Sequence, residues 1–169
     1  MSNVSDSAIV RLLVADYAST DSEGKLNVIG GGIAVLGAHQ AAGQQLGLTA
    51  PFTLVVLVAV EPRLYGEECA LELILENSAG DPVELPGPAG PQLMRIAQNM
   101  TFEEKVMTHR GVRRGVIRSR SVVTLGFQQG LPLTSGERYL WRVKIDGNTR
   151  DDWTEEIYVG SPPASPVFG

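Results

Sequence analysis

Six basic side chains, Lys105, Arg110, Arg113, Arg114, Arg118 and Arg120, fall within the stretch KVMTHRGVRRGVIRSR, and no acid stands among them. The whole chain carries a net charge of -5, so this segregation marks the segment as a surface for an anionic partner. Guanidinium forks match the geometry of carboxylates and phosphates. A nucleic-acid arm would interleave aromatic side chains on which bases stack, and this segment has none. An acidic protein neighbour, another copy of the chain included, is therefore the expected partner, with a solvated loop as the plain alternative. The sequence SPPASPVFG offers a second contact: its prolines favour an extended backbone, and Val167 and Phe168 place apolar groups beyond any core strand.

Other constellations invite chemistry and lack what it needs. Gly30, Gly31 and Gly32 lie in KLNVIGGGI, but a phosphate-cradling loop needs its amides at a helix N-terminus with fixed companion residues, and no such spacing occurs. At a strand end, three glycines allow a bulge, a strong twist or a close backbone approach. Asp16, Asp21 and Glu23 supply oxygens for a hard cation, yet without calcium-loop spacing and with Lys25 beside them they read as a solvated hairpin. Asp151, Asp152, Glu155 and Glu156 in TRDDWTEE raise glycosidase chemistry. Carboxylates crowded on one hairpin lack the separate pockets that split their pKa values, so a charged strand edge is the simpler account. His39 and His109 are the two histidines, and no serine sits in a G-x-S-x-G elbow. The expectation is a protein that is not an enzyme, with no catalytic residue, metal or cofactor.

These residues must be held by elements, and the elements read as strands. The chain is 169 residues long, 43% hydrophobic and 20% charged, enough for one domain with its own core. Its single cysteine, Cys69, alternates with Leu71, Leu73 and Leu75 and so reads as an inert core residue. Apolar positions recur with period two, broken by turn signals, over Ala8–Tyr17, Leu26–Ile33, Phe52–Val60, Cys69–Glu76, SRSVVTLGF, ERYLWRVKI and DDWTEEIYV. The last two predict a hairpin through the turn at Asp146–Asn148. This pattern predicts an all-β, antiparallel Greek-key sandwich of immunoglobulin-like type, a flattened barrel being the runner-up.

One irregular or partly helical excursion is expected at about 85–120. ELPGPAGP reads as irregular, and Thr101 with Glu104 fits a capping box for a helix. Residues 1–7 are expected as an extension, 8–160 as the sandwich domain and 161–169 as an extended tail. The loop LGAHQAAGQQLG carries His39. The opening residues lack the apolar run of an export signal, and Leu48–Val60 is shorter than the roughly 18 residues a spanning helix needs, so neither secretion nor a membrane is expected. The acidic balance disfavours nucleic acid as a partner.

LLVADYASTDSEGKLNVIGGGI and LPLTSGERYLWRVKIDG together resemble a family of small uncharacterised β-sandwich proteins found in actinobacteria and their bacteriophages. The matching positions are Ala15, Asp16, Lys25 to Gly32 and Gly136 to Gly147, while the long middle excursion departs from the pattern. The resemblance implies a sandwich fold and no established activity. For phage members it implies a virion role, such as capsid decoration or a minor capsid protein, with a capsid or other virion protein, or copies of the chain, as partner. Otherwise the place is cytoplasmic. The alternative is a small-ligand-binding module with a pocket between His39 and the glycines.

Overall fold

A computed structural model describes residues 2–39, 46–103, 111–113 and 115–160. The fold is an all-β sandwich. Its strands are β1 (Ile9–Thr20), β2 (Leu26–Gly31), β3 (Val35–Leu36), β4 (Ala38–His39), β5 (Leu46–Thr49), β6 (Phe52–Val60), β7 (Glu68–Asn77), β8 (Glu84–Gly87), β9 (Gly90–Leu93), β10 (Arg95–Thr101), β11 (Ser119–Phe127), β12 (Pro132–Thr134), β13 (Arg138–Ile145) and β14 (Thr154–Val159). The first sheet has the order β11-β6-β1-β2 and the second β10-β7-β13-β14-β3. A small β12-β5-β4 sheet and the β8-β9 hairpin lie beside them.

Alternation makes the core. Val10, Val14, Leu54, Val56, Val58 and Val60 of the first sheet meet Leu71, Leu73, Leu75, Trp141, Val143, Ile145, Ile157 and Val159 of the second in one buried cluster. Each of these side chains points inward because its neighbours in sequence point outward. Phe127 stacks between Phe52, at 4.7 Å between ring centroids, and Trp141, at 5.5 Å, tying the edge of one sheet to the centre of the other.

Several expectations change. The sandwich is not wholly antiparallel, because β14 pairs with β3 in parallel. Of the stretch 85–120, expected to be irregular or partly helical, the first part is sheet among the described residues. ELPGPAGP contributes to the β8-β9 hairpin, in which Pro86 faces Pro91; a two-stranded ladder tolerates them because each residue needs a partner on one side only. Residues 95–101 form β10 against β7, with Ile96 opposite Leu73 and Met100 opposite Cys69. Thr101 ends that strand instead of capping a helix, and Glu104 lies outside the described residues. Pairing with β7 makes residues 95–101 a strand, and the residues that such a helix would occupy, 104–110, lie outside the described residues. His39 sits in β4, paired with Leu48, and not in a loop.

The N-terminal residues also fold onto the domain. Asn3–Ser7 form a short helix, α1, capped by Ser2, whose hydroxyl accepts the Ser5 amide at 3.1 Å. Val4 is buried in the common core. Arg150 donates to the Ser5 and Asp6 carbonyls and Arg118 to that of Ser7 at 3.2 Å, so two cations hold the C-terminal carbonyls of α1.

Candidate functional site

The glycine run bends a hairpin over the first sheet. Residues 9–15 of β1 pair with β6, and residues 15–20 pair with β2. In the β1-β2 ladder the pairs run from Ala15–Gly31 to Tyr17–Ile29 without a bridge at Asp16 and Gly30, where Gly30 takes a φ of 62°. Just beyond, Gly32 has a φ of 88°, and the amides of Gly32 and Ile33 both donate to the Val14 carbonyl, at 2.9 and 3.0 Å. Two residues facing one acceptor, the first of them a left-handed glycine, make a β-bulge.

In a flat sheet Thr20 would lie about 30 Å along the strand from Arg11, the residue opposite Leu57. Yet Gly24, Lys25 and Leu26, next to Thr20, line one cleft with Leu57 and Val122. The hairpin is therefore folded back across the outer face of the first sheet. Val55 and Ala15, which face outward by alternation, are buried beneath it.

That cleft has a volume of about 450 Å³. Its lining combines hydrocarbon from Leu26, Leu57, Ile117 and Val122 with the cations of Lys25, Arg118 and Arg120. The hairpin tip is fixed by Asp21, whose carboxylate accepts the amides of Glu23 at 2.9 Å and Lys25 at 2.8 Å. Lys25 pairs with Glu23, which raises the pKa of its ammonium. Arg63, bonded to Glu61 at 2.6 Å, holds the Glu61 carboxyl below its usual range, with a smaller contribution from Arg118. Arg120 makes no hydrogen bond or ion pair among the described residues, so its charge is available. The two hydroxyls on the cleft are committed: Tyr65 donates to the Ile117 carbonyl and Ser119 to the Glu103 carbonyl, the latter at 2.7 Å. Cations around hydrocarbon bind an anionic, partly apolar group.

A second groove of about 680 Å³ lies on the other side of the hairpin tip, along the start of β11. Asp21, Glu23 and Glu103 stand on its walls, and Arg120 and Val122 belong to both cavities.

Of the residues singled out from sequence, the structure brings Arg118 and Arg120 to the cleft. Arg113 is exposed and lines neither cavity. Arg110, Arg114, Val167 and Phe168 lie outside the described residues, as do Lys105 and His109. His39 and Gly30–Gly32 line neither cavity. Glu155 and Glu156 leave β14 on opposite faces; burial raises the Glu155 pKa, and Glu156 is exposed. Asp151 and Asp152 are exposed in the preceding turn. Sequence reading missed Lys25, Tyr65 and Leu57 as cleft residues. Period two places Leu57 on the outer face, but no local signal says that a hairpin returns to cover it. No protein-family model matches the chain, and no curated protein matches it significantly.

Proposed function

We propose that the protein is a non-catalytic interaction module that docks an acidic, partly apolar segment of a protein partner in the cleft under the hairpin tip. The observation that carries this reading is a cleft lined by Lys25, Arg118 and Arg120 together with the apolar side chains of Leu26, Leu57, Ile117 and Val122. The committed hydroxyls of Tyr65 and Ser119 favour binding over catalysis. The family resemblance adds the setting, a bacteriophage virion, where the chain would decorate or complete a capsid by binding a capsid or other virion protein. Among the described residues no helix is long and apolar enough to cross a membrane.

The test is incorporation into particles. Phage particles assembled in cells that produce the tagged chain are purified by density and quantified by mass spectrometry. The chain is expected in the particles, and Arg118→Ala with Arg120→Ala is expected to lower its incorporation about tenfold at unchanged circular dichroism, the loss of two charge-assisted contacts. Absence of the chain from particles overturns the virion setting. Equal incorporation of the variant overturns the cleft as the docking site.

The cleft volume favours one second reading, a small-ligand site for an amphipathic anion. Decanoate and a nucleoside monophosphate are the probes. A ligand at about 100 times its Kd adds about 2.7 kcal/mol of stability, which raises Tm by roughly 5–10 °C for a chain of this size. No rise with either probe counts against it.

A further inference from the structure

We propose that β11 is a self-association edge, through which two copies of the chain join their first sheets into one continuous sheet around a two-fold axis near Ser121. This goes beyond the docking cleft and does not depend on it.

A strand at a sheet edge presents unpaired amides and carbonyls, and a sheet without a covering device at that edge tends to pair with another strand. Among the described residues four strands end the two large sheets: β2, β3, β10 and β11. β3 has two residues, too few for a ladder. β2 has six and is interrupted by the left-handed Gly30. β10 has seven, of which Arg95 is held by Glu72 and Gln98 and Asn99 face solvent. β11 has nine, SRSVVTLGF, with no proline, no acid and a single charge, Arg120. Its pairing with β6 is unbroken from Ser119 to Phe127. Residues 120–126 make no backbone hydrogen bond beyond that ladder among the described residues. The other edges are short, broken or polar, and β11 alone of the four is long, regular and β-branched.

Side chains along the same edge are half-finished. Val123, Leu125 and Phe127 pack against the core yet stay partly exposed, as does Val122 on the outer face. A second β11 would cover them while it completes the backbone bonds.

Charge identifies the occupant as a second copy. Arg120 makes no hydrogen bond or ion pair among the described residues and lines one groove with Asp21, Glu23 and Glu103. In an isologous contact each residue meets its complement on the other copy. With the axis at Ser121, antiparallel pairing sets Arg120 opposite Val122 of the second copy, and Val122 belongs to that copy's acidic groove. Each arginine then lies beside the groove that Glu103 of the other copy helps to wall. A patch with its cation and its acids side by side is complementary to itself under this symmetry and to no uniformly charged surface.

The experiment is light scattering of the full chain across a concentration series, at low and high salt. The expected mass is twice the 18.1 kDa chain, with dissociation favoured by salt. Ser121→Lys places two like charges on the axis, and Thr124→Lys sets a lysine opposite Arg118; each is expected to give a monomer with an unchanged melting temperature. Arg120→Glu is expected to weaken association about tenfold, and Arg120→Glu with Glu103→Arg to restore it. A monomer at every concentration, a mass beyond two copies, or a dimer indifferent to all of these substitutions overturns the proposal. Loss of the dimer in Ser121→Lys and Thr124→Lys, neither of which lines the docking cleft, with particle incorporation intact separates this edge from that cleft.

Discussion

Cys69 shows how its surroundings set the chemistry of a residue. Its thiol pKa is pushed up to about 11, first by burial and then by the charge of Asp146. At pH 8 the thiolate fraction is then about 100-fold below that of an ordinary thiol, so alkylation of the native protein by iodoacetamide should be slower than that of the urea-unfolded chain by at least that factor. Because the folded pKa lies above the unfolded value, stability from this group is complete below pH 9 and falls as pH rises toward 11. Cys69→Val should remove that alkaline loss.

Glu155 obeys the same rule at the acid end. Its place opposite Trp141 puts a carboxylate among core-facing positions, and burial raises its pKa. The native state holds the proton more tightly than the unfolded chain, so stability falls as pH rises through the raised value. Urea midpoints should show Glu155→Gln more stable than the parent at pH 7 and equal to it once pH is well below the unfolded value of 4.5. The sequence reading set this acid on a charged strand edge; the pairing with Trp141 and the burial come from the packed sheet.

At the scale of elements, the bend in the β1-β2 hairpin matters most, because it carries Lys25 to the cleft. A Cβ at Gly30 would lie 2.7 Å from the Asp16 Cγ, on a backbone with a φ of 62°. Gly30→Ala should therefore cost about 1–3 kcal/mol. Adding Asp16→Ala should recover the steric part and leave the backbone part, a non-additivity that denaturant titration of the double-mutant cycle would measure. Glycines at a strand end were legible as a bend or close approach. Which residue approaches, and where the hairpin tip then lands, depends on the strand opposite.

Across the whole molecule, one core joins every layer. Val4 of α1, Leu36 of β3, Leu133 of β12 and Trp141 of β13 belong to the same buried cluster. Unfolding should be two-state, with the fluorescence of Trp141 and Trp153 and the far-ultraviolet circular dichroism changing at one midpoint; separate midpoints would show the small β12-β5-β4 sheet melting alone. Alternation in the sequence was enough to determine the long strands, their inner faces, the β13-β14 hairpin and the inert cysteine, because period two is a local property of the backbone and burial follows it. Tertiary structure alone decided the rest. β10 and the proline-containing β8-β9 hairpin exist because strands far away in sequence offer them partners. α1 is held by Arg118 and Arg150 from the other end of the chain, and the cleft exists because a bulge turns one hairpin back over a sheet. Pairing across long separations leaves no period in the sequence, and a fold-back of one hairpin is written in a few dihedral angles that many strand ends share.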